Sequence, residues 1–252
     1  MLLSALLKSA LVLAVANSLV SAADLPYGNI IRSCTVTNTF ALTFDDGPSN
    51  FTRQLLQRLK GNGLKATFFV VCLNAKREGP LVRQILQEGH QIASHTYSHP
   101  FLTSLSEDLV RSQMTDLDAV LIKTIGKAPT FMRPPYYDTN DKVLQILKGM
   151  QYHVINSDID TNDWNFTKPE NNDEAFRNLE KGLKVMGSIV LMHDVHATTV
   201  NQLVPKAIPL LKQTGKKFVT VGECLGVPRE QWYREKSVAG KETSTEKPHG
   251  EL

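Results

Sequence analysis

The stretch LTFDDGPSN, Leu42 to Asn50, ends an apolar run on two adjacent carboxylates, Asp45 and Asp46, and then breaks at Gly47 and Pro48. Read with the residues before it, Thr39 to Phe44, it is the end of a buried β-strand. Two acids side by side need a reason, because like charges repel and burial disfavours their joint ionisation. A solvated turn is the plain alternative. The rest of the chain decides between them.

The pattern recurs outward from this point. Apolar runs at Ala66 to Val71, Gln91 to Ser94, Thr130 to Met132, His153 to Asn156, Ser188 to Met192 and Phe218 to Val221 read as further strands. Between them lie amphipathic stretches such as TRQLLQRLK (52–60), GPLVRQILQEG (79–89), SEDLVRSQMTDLDAVLIKTIG (106–126) and NQLVPKAIPLLKQTG (201–215). The third opens on Ser106 or Ser104 as its N-cap. About seven βα units predict an α/β fold with a parallel sheet, either open or curled into a barrel. No glycine-rich dinucleotide or phosphate-loop fingerprint favours the open, nucleotide-binding form.

The chain has 252 residues, of which 42% are hydrophobic and 21% charged, the makeup of one large soluble domain. A net charge of +3, with no basic run, gives nucleic acid nothing to bind. Residues 1–22, MLLSALLKSALVLAVANSLVSA, carry one Lys and no acid and end in small residues. Asn17, Ser18 and Ser21 interrupt the apolar run, so a cleaved secretory signal is expected rather than a stable membrane anchor. Residues 23–226 are then the folded domain. After Val227 the chain becomes polar and carries no lipid-anchor signal, and residues 227–252 are expected to be a flexible tail. The sequons at Asn50 and Asn165 fit a secreted glycoprotein. Of the three cysteines, Cys34 and Cys224 bracket the domain, and a bridge between them would tie its ends. Cys72 closes an apolar strand and reads as a free core thiol.

In parallel βα architectures catalytic groups gather where strands end. Strand one delivers Asp45 and Asp46; the others run into SHTYSHP with His95 and His99, RPPYYD with Arg133, SDIDTNDW with Asp163, and LMHDVH with His193. Five of about seven strand ends therefore carry titratable groups. His90 and His153, by contrast, read as structural. His95 and His99 stand four apart, a spacing that on a helix puts both imidazoles on one face, and H-E-x-x-H is absent. With one carboxylate they make a two-His, one-carboxylate set for a divalent metal. Asp45 and Asp46 can then differ in role, one ligating the metal and the other acting as an unligated base, while the cation offsets their repulsion.

Five motifs in order, TFDDGPS (43–49), SHTYSH (94–99), RPPYY (133–137), DTNDW (160–164) and LMHD (191–194), resemble those of the polysaccharide deacetylase family, which includes nodulation-factor and chitin deacetylases. The resemblance runs from about Cys34 to Cys224 and implies a distorted (β/α) barrel. It implies that Asp46, His95 and His99 bind zinc or cobalt and that Asp45 is the general base, paired with Arg133. It further implies that the Tyr136 N–H stabilises the oxyanion and that His193 is the general acid, oriented by Asp163. Tyr136, Tyr137, Trp164 and Leu191 would contact substrate. Tyr137 departs from the pattern, since many members carry Gly there, and the Asn50 sequon beside the first motif places a glycan near the cleft. The expected activity is secreted, monomeric N-deacetylation of chitin or chitooligosaccharides. Peptidoglycan and acetylated xylan are the alternative substrates. A non-catalytic sugar-binding or metal-sequestering wall protein would need neither base nor acid, and the presence of Asp45, Arg133 and His193 argues against it.

Overall fold

The computed structural model describes residues 25–236; the expected leader, residues 1–22, lies outside them. Eleven strands among the described residues are β1 (Ile30–Ile31), β2 (Thr39–Asp45), β3 (Thr67–Val70), β4 (Gln91–Ser94), β5 (Ala128–Pro129), β6 (Phe131–Met132), β7 (His153–Ile155), β8 (Ile159–Asp160), β9 (Ile189–His193), β10 (Lys217–Val219) and β11 (Tyr233–Arg234). The helices are α1 (Thr52–Gly61), α2 (Cys72–Arg77), α3 (Gly79–Gln87), α4 (Glu107–Ile125), α5 (Asp141–Gly149), α6 (Asp173–Lys184), α7 (Val204–Gln213) and α8 (Val221–Cys224).

Nine strands form one parallel sheet in the order β1-β7-β6-β4-β3-β2-β9-β8, with β10 added beside the first half of β2. The end strands β1 and β8 are not hydrogen-bonded to each other, so the sheet curls without closing: a distorted (β/α) barrel, as expected. Each of the seven expected strands is present. The two additional sheet strands, β1 and β8, are two residues long each and too short to show a period. The last expected strand stops early. Thr220 and Glu223 form a reciprocal capping box that starts α8 at Val221, so local hydrogen bonding overrides the β-branched run.

β2 is buried along its whole length, as a central strand must be. Its side chains alternate between two cores. Phe40, Leu42 and Phe44 pack outward with Leu55, Leu56 and Leu59 of α1 and Leu211 of α7. Full burial of each such side chain contributes about 1.5–3 kcal/mol. Ala41 faces the other way, into a cluster with Phe69, Ala93, Phe131, Ile155 and Ile189 that fills the barrel interior. The longest helix, α4, starts where Ser106 accepts the Leu109 N–H and ends at Gly126, whose φ of 76° only glycine adopts freely.

The expected flexible tail from residue 227 needs correction. Trp232 is buried and donates its indole N–H to the Val227 carbonyl, 2.8 Å. It lies so close to Gly222 that any side chain there would collide with it. The Tyr233 hydroxyl accepts the Ile92 N–H, Arg234 bonds Asp118, and β11 pairs antiparallel with β5. A strap reaching Arg234 thus closes the lower end of the barrel, because two aromatics and an arginine inside a polar stretch have partners waiting far away in sequence. Cys34 and Cys224 are bridged, their Cα atoms 4.9 Å apart, and Cys72 is buried and free, both as expected.

Candidate active site

The kink after β2 answers the question of the adjacent acids. Asp45 is the last strand residue and points into the barrel, whereas Asp46 takes a left-handed φ of 73° that redirects its carboxylate into the same cleft. Gly47 follows because the Asp194 carboxylate occupies the space that a side chain would need. The loop is held from several sides: Asn74 donates to the Asp46 carbonyl, Ser49 donates to the Asp194 carbonyl, and the Thr52 hydroxyl bonds the Asp194 carboxylate. Burial pushes Asp194 up to about 7.

Asp46, His95 and His99 converge, each with a ligand atom within 4.8 Å of the others. Asp46 Oδ1 lies 3.5 Å from His95 Nε2 and 3.2 Å from His99 Nε2, and the two Nε2 atoms are 3.1 Å apart. His95 Nδ1 is 2.8 Å from the Arg133 carbonyl, which fixes that nitrogen as the donor and leaves Nε2 with its lone pair towards Asp46. Burial lowers His95 to about 3, so the ring is neutral, as a ligand must be. Asp46 Oδ1 is buried without a hydrogen-bond partner. An orphaned carboxylate oxygen beside the Nε2 atoms of two imidazoles fits a divalent cation. The four-residue histidine spacing works without a helix here. Thr96 and His99 both take left-handed φ, 70° and 61°, and Thr96 Oγ1 accepts the His99 N–H at 3.1 Å.

Arg133 is fully buried, which excludes a surface salt bridge. Its Nη1 donates to Asp45 Oδ1 and Thr43 Oγ1, both at 2.7 Å, and Nε and Nη2 donate to the Ile155 and Asn156 carbonyls. The guanidinium sits 4.2 Å from the centre of the Phe69 ring. Burial raises the Asp45 carboxyl above its ordinary range, and Arg133 opposes that rise without overcoming it. A carboxylate with raised proton affinity is a better base than a free one.

Across the cleft, His193 Nδ1 lies 2.8 Å from Asp163 Oδ1. Asp163 also accepts the His193 backbone N–H at 2.8 Å and the Thr199 hydroxyl at 2.6 Å. Burial alone would raise Asp163, but His193 and these donors hold it below the usual carboxylate range. Burial likewise disfavours the imidazolium of His193; Asp163, with Asp45 and Asp46 behind it, outweighs that and moves it up to about 9. His193 is therefore protonated at neutral pH. Thr199 reaches Asp163 from the first residue of a π-helical turn, Thr199–Leu203, a geometry common at functional sites.

Asp45, Asp46, His95, His99 and His193 line one cleft of about 340 Å³ together with Tyr136, Tyr137, Trp164, Leu191, Pro134 and Asp160, and Arg133 and Asp163 stand behind Asp45 and His193. Trp164 is 53% exposed and so is a rim residue, while Leu191 is buried in the wall. Tyr137 bonds Ser157 through its hydroxyl, 2.6 Å, and burial pushes it up to about 12. Tyr136 and Tyr137 both have left-handed φ, 57° and 56°. Strain of roughly 1–3 kcal/mol per such residue is concentrated where the chemistry would be. Asn50 and Asn165 are exposed. Sequence reading missed Thr43, Asp160, Asp194 and Thr199. Thr43 opens TFDDGPS, Asp160 opens DTNDW and Asp194 closes LMHD, so all three were visible there; nothing local marks Thr199.

The profile of the polysaccharide deacetylase family matches residues 32–155. A chitin deacetylase from Pestalotiopsis sp is 48% identical over 84% of this chain and 72% of its own length. A peptidoglycan-N-acetylglucosamine deacetylase from Bacillus cereus is 36% identical over 76% of this chain and 70% of its own. The structure of the chitin deacetylase from Colletotrichum lindemuthianum superimposes with a TM-score of 0.81 at 40% identity, covering 83% of this chain and 97% of that one.

Proposed function

The chain belongs to the polysaccharide deacetylase family, and from that premise we propose that it is a metal-dependent hydrolase that removes N-acetyl groups from N-acetylglucosamine units of chitin or chitooligosaccharides. The observation that carries this reading is the meeting in one cleft of a buried carboxylate–arginine pair, an orphaned carboxylate with two imidazoles, and a protonated imidazole with its own carboxylate. Asp46, His95 and His99 would hold zinc or cobalt. Such an ion supplies acidified water and polarises the amide carbonyl.

The chain's own groups divide the remaining work. Asp45 takes a proton from the attacking water at Oδ2, since Arg133 holds Oδ1. The water oxygen bonds the acetyl carbon, and the Tyr136 N–H donates to the oxygen that gains charge. His193 then gives a proton to the amide nitrogen as the C–N bond breaks, releasing acetate and a free amine. Asp163 fixes its Nδ1–H, leaving Nε2 to act. Leu191 and Trp164 flank the acetyl group, and Tyr136 and Tyr137 the sugar.

The leader pattern at 1–22, the Cys34–Cys224 bridge and the sequons at Asn50 and Asn165 support a secreted, glycosylated protein. Among the described residues no helix is long and apolar enough to cross a membrane. Peptidoglycan is the second reading, carried by the Bacillus cereus relative. Acetate release from chitin oligomers, peptidoglycan fragments and acetylated xylan, measured after chelation and after metal return, tests the choice. Metal-restored release from chitin oligomers is expected. Release from peptidoglycan alone would replace the substrate, and silence on all three would leave a binding protein.

A further inference from the structure

We propose that Phe101 forms a second sugar platform beside the acetyl pocket, holding the ring next to the one being deacetylated; this rests on the carbohydrate substrate proposed above. Phe101 is 53% exposed and lies outside the cleft lining. Its ring stacks on Tyr136 with centroids 4.0 Å apart and planes 16° from parallel. Tyr136 in turn meets His99 edge-on at 4.6 Å. The three rings form a file that starts at a candidate metal ligand, crosses the cleft wall and ends outside the pocket.

The platform is rigid. Asp138, just after Tyr137, accepts the Thr103 N–H at 2.7 Å through one oxygen and the Thr103 hydroxyl at 2.9 Å through the other. Ser104 donates to the Phe101 carbonyl at 2.7 Å, and Leu102 beside it is fully buried. The loops carrying His99 and Tyr136 are thus clamped together, with one large apolar ring left facing water. Folding gains little from an exposed phenyl ring, and a polar side chain would serve a solvent turn as well. A pyranose ring suits it: its C–H face covers an aromatic face while its hydroxyls stay hydrated at the edge. The Asp138 carboxylate is taken up by Thr103, and the Phe101 ring offers apolar contact, which fits a neutral sugar.

The test compares kcat/KM for N-acetylglucosamine and its tetramer in wild type, Phe101→Ala and Phe101→Trp. The tetramer-to-monomer ratio should fall about tenfold in the alanine variant and recover in the tryptophan variant. An unchanged ratio, or equal loss on both substrates, overturns the proposal. Tetramer binding to His193→Ala and to His193→Ala/Phe101→Ala, by calorimetry, provides a readout that needs no turnover. The double variant should bind about tenfold more weakly; equal affinities overturn the platform. If wild type releases no acetate from either substrate but the binding difference stands, the deacetylase reading fails and the platform survives.

Discussion

At its lower end the barrel interior is filled by Ala41, Ala93, Phe131, Ile155 and Ile189 beneath Val221 and Trp232. Two to four residues further along the same strands, the inward positions become Thr43, Asp45, His95, Arg133 and His193. Backbone, register and burial are nearly the same at the two levels; only the side-chain chemistry changes. The lower end is held by apolar area, which is non-directional and forgiving of small rearrangements. The upper end is held by pairing, which is not. Four hydrogen bonds from Arg133 must all be kept, because a buried charge left unpaired costs about 3–5 kcal/mol. The strap from Arg229 to Arg234 covers one end, and the cleft opens at the other.

The sharpest way to break this comparison is at the two adjacent acids. Asp45→Asn should keep its metal by elemental analysis and lose activity by on the order of a hundred- to ten-thousand-fold, since an amide cannot take the proton. Asp46→Asn should lose the metal and regain part of its acetate release when excess zinc is supplied. Swapped phenotypes would exchange the roles of the two carboxylates. At the sealed end, Trp232→Ala should lower unfolding free energy by about 3–5 kcal/mol in denaturant titration, because it leaves a cavity over Gly222. Well below its melting temperature, this variant should keep wild-type kcat; a large loss of kcat would mean that the two ends are coupled.

Smaller effects sharpen the picture of the acid. His193 sits at about 9 because Asp163 outweighs its burial, so it carries its proton below that pH and activity should fall as pH rises through it. Asp163→Asn removes the raising charge, and the alkaline limb of kcat/KM should move to lower pH; a limb that stays in place would assign it to another group. Thr199→Val should be mildest, with kcat lower by about tenfold at unchanged metal content, and Thr199→Ser should restore it.

Much of this was legible in the order of residues. Alternation along Thr39 to Phe44 and its repeats identified the strands, since a buried strand and an amphipathic helix each leave a local period. The polar groups after those strands marked the candidate site, because parallel strands direct their ends to one rim. What depends on distant partners was hidden. Trp232 and Tyr233 lie in a polar stretch that read as tail, and only Val227, Ile92 and Pro129 make it a strap. β1 and β8, two residues each, exist only through β7 and β9.

The sequence by itself determined the parallel βα plan and the five strand-end motifs, which follow from local patterning along the chain; the Cys34–Cys224 pair was legible only from its place at the two ends of that pattern. Tertiary structure alone decided how the left-handed Asp46 turns its carboxylate into the cleft of Asp45, that His95 and His99 meet on a loop instead of a helix, that the buried Thr199 bonds Asp163, and that Phe101 stacks on Tyr136. The reason is physical. A left-handed φ at Asp46 or His99, a π-helical turn at Thr199 and a ring stack between Phe101 and Tyr136 are stabilised by contacts from other loops, and no periodicity in the chain records them.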